Sequence, residues 1–321
     1  MFPDFNQWSL PLLILVVQGL LFVGLLFYRY IKFKNTSDLL LALILLLTCY
    51  TQICYTVGFM GWYNEFRTTK INYFLINIGT AIAPLIYLYV TSVTTSKFSI
   101  QKKHLWHFVL PGLLVLYRLT IYGYDLMQPG FHETQNGYLK IHLDEAYVQA
   151  IFGYIEPALM LIYLAFTFQL FFNYRKKILQ YFSNTYKLEL NWVLSFLILF
   201  SVLFLYGTIQ DILGAHFMEL GYQQRWWLNL LTAIVTLYLG ISGYFVNANK
   251  LNKLSFQFNP SSDAIPESSP ESAKSSSYSQ EEINSVIHAM ESEHCYLNPD
   301  LNLSELAAQV GLSRGKVSEI I

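Results

Sequence analysis

The sequence predicts an all-α protein: a bundle of seven transmembrane helices, then a flexible linker, then a partial helix-turn-helix domain. Three observations predict it. Of 321 residues, 54% are hydrophobic and 17% aromatic, only 13% are charged, and the mean hydropathy is +0.37. That charged share is about half the usual one for a soluble chain. The apolar residues are gathered into long runs that all lie before residue 250. The chain beyond residue 250 is poor in large apolar residues and ends in short helical patterns joined through Gly311. Basic and acidic residues nearly cancel at 20 and 21, so net charge names no partner, and three cysteines (Cys49, Cys54, Cys295) make no disulfide framework. A disulfide-stapled secreted domain and a simple cytosolic enzyme are both excluded.

Seven segments are long and apolar enough to cross a roughly 30 Å hydrocarbon core, which takes about 20 helical residues. They lie near 9–29, 38–60, 71–93, 105–123, 147–172, 189–213 and 225–247. The fourth, with Pro111 and Arg118, is the weakest. Met1 to Trp8 holds no Lys or Arg, and Arg29, Lys32 and Lys34 come after the first apolar run. A signal peptide has the reverse order, so this run reads as a retained helix. Lys and Arg in alternate connections then set the orientation. Arg29, Lys32, Lys34, Lys97, Lys102, Lys103, Arg175, Lys176, Lys177, Lys187, Lys250 and Lys253 share one side; Arg67, Lys70, Lys140 and Arg225 share the other. Twelve against four predicts the N-terminus outside and the C-terminus in the cytoplasm.

Residues 251–278 form the linker. Its core, 255–278, holds nine Ser and three Pro, and too little apolar area to offset the entropy of ordering it. As a flexible coil it spans on the order of 25–30 Å. It reads as a spacer, with a phosphorylated serine switch as the alternative.

The tail carries the most specific pattern. Ser279-Gln-Glu-Glu282 is a capping box, with Ser279 as N-cap and Glu282 at the third helical position. Ile283, Val286, Ile287 and Met290 recur at i, i+3, i+4, i+7 and predict a helix over 280–292 with one apolar face. A second short helix is expected to start at Ser304. Leu306, Val310, Leu312, Val317 and Ile320 are apolar, Ala307 is small where two helices must approach, and Gly311 stands where the chain must turn sharply. Ser313 suits the cap of a third helix. Two helices crossing steeply through a short glycine turn need these residue types at these offsets. An ordinary helical hairpin is the bland alternative. In the usual docking, Ser313, Arg314 and Lys316 at the start of the last helix face DNA, Arg314 toward a base edge and Lys316 toward a phosphate. Gly315 within that helix costs about 1 kcal/mol relative to Ala.

Tyr296-Leu-Asn-Pro-Asp-Leu-Asn-Leu-Ser-Glu-Leu-Ala-Ala-Gln-Val-Gly-Leu-Ser313, with Val317-Ser318 just beyond, resembles the first half of an AraC/XylS-type DNA-binding domain. The helix over 280–292 is similar to that domain's opening helix, so the resemblance covers 279–321. The preceding part is similar in plan to the multi-helix membrane sensors of Bacteroidetes-type regulators. The stretch Tyr181-Phe-Ser-Asn-Thr-Tyr-Lys-Leu-Glu-Leu-Asn-Trp192 looks like a recurrent element of those sensors. The resemblance implies a one-component transcriptional regulator in a bacterial inner membrane, binding an operator as a dimer. Family members carry two helix-turn-helix units joined by a long helix. The residues here reach only into the first recognition helix, and 279–321 is net acidic with Arg314 and Lys316 its only basic residues. By themselves they are expected to hold an operator weakly until a second unit reverses that balance.

Polar groups inside spans are costly and mark sites worth tracing. In the expected orientation Gln52, Asn77, Arg118, Glu156 and Asp211 all fall in the outer half. Arg118, Glu156 and Asp211 come from three spans at similar depth, which suits either a ligand pocket open to the outside or a charge-paired staple between helices. Pro84, Pro111 and Pro157 are expected to kink spans or free carbonyls, and Trp62, Trp192, Trp226 and Trp227 to anchor span ends. His104 and His107 have a spacing that can bind metal, but no carboxylate or Cys accompanies them. No glycine-rich phosphate loop, G-x-S-x-G, H-E-x-x-H or CxxC motif is present, so no enzyme, cofactor or metal site is expected. Three classes remain: a membrane regulator sensing an envelope or lipid-borne small-molecule signal and acting on DNA, a transporter-like protein, and a membrane sensor whose tail binds a protein. Membrane lipid is a partner in all three.

Overall fold

The computed structural model describes residues 3–61, 78–95, 98–129, 137–181, 190–217, 222–245, 279–291, 295 and 301–320. Among them every regular element is helical. We number the helices α1 (Ser9–Phe33), α2 (Thr36–Phe59), α3 (Ile82–Thr94), α4 (Val109–Leu126), α5 (Gln149–Tyr181), α6 (Asn191–His216), α7 (Trp226–Phe245), α8 (Gln280–Glu291), α9 (Leu303–Gln309) and α10 (Arg314–Ile320). Contacts divide the chain into two units, 1–170 with 192–256, and 171–191 with 257–321.

Among the described residues six helices are long and apolar enough to cross a membrane, where seven are expected. The difference lies in the third expected span. Within the described residues that segment is a single apolar helix over Gly79–Thr94. At 1.5 Å per residue it is about 24 Å long, short of the hydrocarbon core. Residues 71–77, with Asn77, lie outside the described residues, as do Trp62, 182–189, the linker 251–278 and 296–300. The fifth span is longer than expected: α5 continues a π-helical stretch, Lys140–Val148, and contains Pro157. Large apolar side chains such as Leu113, Leu116, Ile162, Val202 and Leu205 point outward. Helices this apolar with exposed Leu and Val are what a lipid solvent demands, because only the backbone must be satisfied internally.

In the first unit α1 and α2 are antiparallel neighbours, reversed at Lys34 (φ 55°) and Asn35, and both pack on α7. Small residues let them approach. A β-carbon at Gly19 would lie 2.6 Å from Cys49 Sγ, and one at Gly240 would lie 3.1 Å from Phe22. At Gly243 it would overlap Leu41. Close approach through glycine replaces the hydrophobic driving force that lipid does not supply.

Both ends of this three-helix core are tied. At one end Arg29 donates to both carboxylate oxygens of Asp38, with Nε at 2.8 Å, and to the carbonyls of Gly243 (3.0 Å) and Tyr244. At the other, Asn6 caps α1 through the N–H groups of Trp8 and Ser9 (2.9 and 3.0 Å) and donates to the Phe59 carbonyl at 2.7 Å. There Trp226 Nε1 donates to the Trp8 carbonyl at 2.9 Å, and the two indoles meet edge to face at 5.2 Å.

In the second unit Ala289, Cys295, Leu306, Ala307 and Val317 form a small core. The capping box is present: Glu282 N–H donates to Ser279 Oγ at 3.2 Å, and Ser279 N–H to Glu282 Oε2 at 3.3 Å. Two expectations are corrected. Ile287 is exposed, and Ala289 is buried with Val286, because the helix turns the i+3 side of its apolar stripe inward. Helix α9 is capped by Asn302, whose Oδ1 accepts from Ser304 and Glu305 N–H at 3.0 Å each, so it begins one residue before Ser304.

Replacing Arg29 by Met strands the buried Asp38 carboxylate and should cost about 3–5 kcal/mol. Arg29→Met with Asp38→Leu should recover most of that loss, measured by unfolding the purified protein in detergent.

Candidate functional site

Within the first unit, α2, α5, α6 and α7, together with the start of the segment over Gly79–Thr94, surround a cavity of about 410 Å³. That is the size of a small-molecule site. Gln52, Glu156 and Asp211 all line it, as does Asn229. Arg118 does not, and Asn77 lies outside the described residues. Most of the wall is apolar, with Phe196, Phe200 and Phe204 from three turns of one face of α6.

Arg118 belongs elsewhere. It donates to Asp144 Oδ2 at 2.8 Å, and the same carboxylate receives Lys140 Nζ and, at 3.0 Å, Gln149 Nε2. Lys140 and Asp144 are buried. Beside them Asp125 accepts from the backbone N–H of Leu139 and Lys140 at 2.9 Å each, capping the π-helical stretch. Arg118 is thus part of a charge-paired staple between α4 and the stretch preceding α5, the blander of the two sequence readings. Sequence reasoning missed Lys140 and Asp144, although their i, i+4 spacing is a signal for a helical ion pair.

Asp211 is also paired: Arg225 Nη1 lies 2.6 Å from its Oδ1, at an exposed rim. Glu156 has no hydrogen bond or ion pair among the described residues, and Gln52, only 4% exposed, keeps its Oε1 buried without a donor. Pro157 lines the cavity beside Gly153, whose carbonyl loses its helical donor because proline has no N–H.

His104 and His107 are drawn apart. His104 Nδ1 accepts from Gln101 N–H at 3.1 Å and its ring stacks on Phe98, while His107 Nδ1 lies 2.8 Å from the Tyr163 hydroxyl. Among the described residues no group of three His, Cys, Asp or Glu is placed to hold a metal.

In the second unit Gly311 adopts φ +69°, a conformation that strains any residue with a β-carbon, and it reverses the chain between α9 and α10. Leu306, Ala307 and Val317 are buried; Val310 and Leu312 pack partly against them, and Ile320 is half-buried. Lys316 N–H donates to Ser313 Oγ at 3.4 Å, so Ser313 caps α10. Ser313, Arg314 and Lys316 are exposed. So is Gly315, where an added β-carbon would meet nothing within 4 Å. Lys316 Nζ is 2.5 Å from Glu282 Oε1, a surface ion pair between α10 and α8 that the sequence reading did not foresee.

Neither protein-family models, nor curated proteins, nor solved structures match this chain.

The Lys316 ammonium, and behind it the Ser279 N–H, hold the Glu282 carboxyl below its ordinary value. A carboxyl depressed in the folded state contributes stability above the ordinary range, and that contribution is lost as pH falls through it toward the folded value. Amide protection of α8 and α10 should therefore decline as pH falls through and below the ordinary carboxylate range. Lys316→Met should flatten the decline, read by hydrogen exchange corrected for intrinsic rates.

Proposed function

We propose that the chain is a membrane-bound one-component transcriptional regulator of AraC/XylS type. In this reading the helical bundle senses a small-molecule or lipid-borne signal from outside the cytoplasm, and a cytoplasmic tail presents α10 to DNA. One observation carries the reading. Gly311 turns the chain at positive φ between α9 and α10, Ala307 and Val317 fill the contact beneath, and Ser313, Arg314 and Lys316 are left on the outer face. That is the division of labour a helix-turn-helix needs, with apolar residues pinning the second helix and polar residues at its start facing base edges. The long apolar helices support a membrane location. The excess of Lys and Arg on alternate connections supports a C-terminus inside, provided that the shorter apolar helix over Gly79–Thr94 is counted as a seventh crossing. Coupling would run through a change in how two tails are presented to paired half-sites.

A second reading keeps the sensor but gives the tail a protein partner. The Lys316–Glu282 pair favours it, because it occupies a cation that DNA binding would use. An exposed pair of this kind is weak, so a phosphate can compete for Lys316.

Cross-linking the membrane-borne protein to chromosomal DNA should recover discrete sites. Arg314→Ala should lower their occupancy by the roughly 1–3 kcal/mol of one base contact while leaving membrane abundance unchanged. A footprint indifferent to Arg314, or no footprint, favours the protein-partner reading. Glu156→Gln should blunt the response of the regulated genes, and an unaltered response at normal abundance would remove Glu156 from sensing.

A further inference from the structure

Several polar groups around the cavity share one bias. The hydroxyls of Thr48, Thr208, Thr232 and Thr236 all donate to carbonyls one turn back, at 2.7 to 2.9 Å, and so turn only lone pairs to the cavity. Asn229 spends an amide hydrogen on the Arg225 carbonyl at 2.9 Å. Gln52 Oε1 is buried without a donor, and Pro157 leaves the Gly153 carbonyl without one. The unpaired groups are thus weighted toward acceptors, and an unmet buried acceptor costs about 1–3 kcal/mol.

Charge points the same way. Among the described residues Arg225 pairs with Asp211, and Arg118 pairs with Asp144, so that its charge reaches Glu156 only at a distance and without an ion pair. Glu156 is left as a carboxylate with no ion-pair partner among the described residues, in a wall that is otherwise mostly apolar. A carboxylate in such a place calls for a counter-ion or a proton, and a protonated amine supplies either.

We propose that this cavity binds an amphipathic molecule headed by a protonated amine, with the ammonium held by Glu156 and Gln52 Oε1 and the apolar body laid along Phe196, Phe200 and Phe204. An ammonium brings three donors and the missing positive charge, and no acceptor. A fatty acid of the same length would set a carboxylate against Glu156 and the threonine lone pairs, so the same cavity rejects it. This inference specifies the ligand class for the sensor role proposed above and rests on that reading only in treating the cavity as a ligand site.

The test uses the full chain in phosphatidylcholine nanodiscs, with empty nanodiscs subtracted, titrated with decylamine, decanol and decanoate. Decylamine should bind saturably and at least about ten-fold more tightly than either other probe, the worth of a charge-assisted hydrogen bond. Glu156→Gln should erase that preference while decanol binding persists, which shows that the cavity is intact. Gln52→Leu should reduce the preference by a smaller factor, and Phe200→Ala should weaken every probe. Equal affinity for all three probes, a preference for decanoate, or amine binding unchanged in both Glu156→Gln and Gln52→Leu would overturn the proposal, as would the absence of saturable amine binding. Transcription of the regulated genes is read separately. Amine binding without a transcriptional response leaves the ligand class standing and removes the regulator reading; a response without amine preference does the reverse.

Discussion

The buried Arg29–Asp38 pair is the constraint on which the first unit depends. Asp38 sits in the first turn of α2, where the helix dipole favours an anion. Arg29 uses its remaining N–H groups on Gly243 and Tyr244, two of the last carbonyls of α7. The last carbonyls of a helix find no partner within it, and a guanidinium can serve them. One guanidinium therefore satisfies a carboxylate, caps a helix C-terminus and joins three helices. In an apolar surround each of these groups would be costly alone, so the three helix ends have one arrangement in which all are met.

That fixed frame decides where the cavity lies. Gly19, Gly240 and Gly243 bring α1, α2 and α7 into close contact, and α5 and α6 line the cavity together with α2 and α7. The wall there is uneven. Gly153 contributes no side chain, Pro157 interrupts the α5 hydrogen-bond ladder, and Gly207 faces Leu228. Space and unmet acceptors arise together, because the residues that open the cavity are also those that break helical regularity. The Asp144 staple anchors α4 to the approach to α5, so the hydrogen-bonded partner of Arg118 is Asp144 and not Glu156.

Much of this was legible in the residues. The long apolar helices, apart from the short one over Gly79–Thr94, fall within a few residues of the runs that mark them, since a stretch of Leu, Ile and Phe needs only its own backbone to form a helix. The capping box at Ser279 and Glu282 and the glycine turn at Gly311 were legible too, being contacts between residues three or four apart or a single backbone angle. Gln52, Glu156 and Asp211 share a cavity, as their common depth suggested. Arg118 shares that depth and not the cavity, because depth is only one coordinate of a helical residue. Its azimuth turns by about 100° with each position and is set by the neighbours the helix meets.

The sequence by itself determined what is local: which segments are helical, where they are capped, where the tail turns, and that most of the chain is built for an apolar solvent. Tertiary structure decided the pairing of charges. Arg29 found Asp38 and the end of α7, Arg118 and Lys140 found Asp144, Arg225 found Asp211, Lys316 found Glu282, and Glu156 found no ion-pair partner among the described residues. Helix formation is satisfied within one turn of chain, whereas an ion pair is satisfied only by the rotation and crossing of helices far apart in sequence.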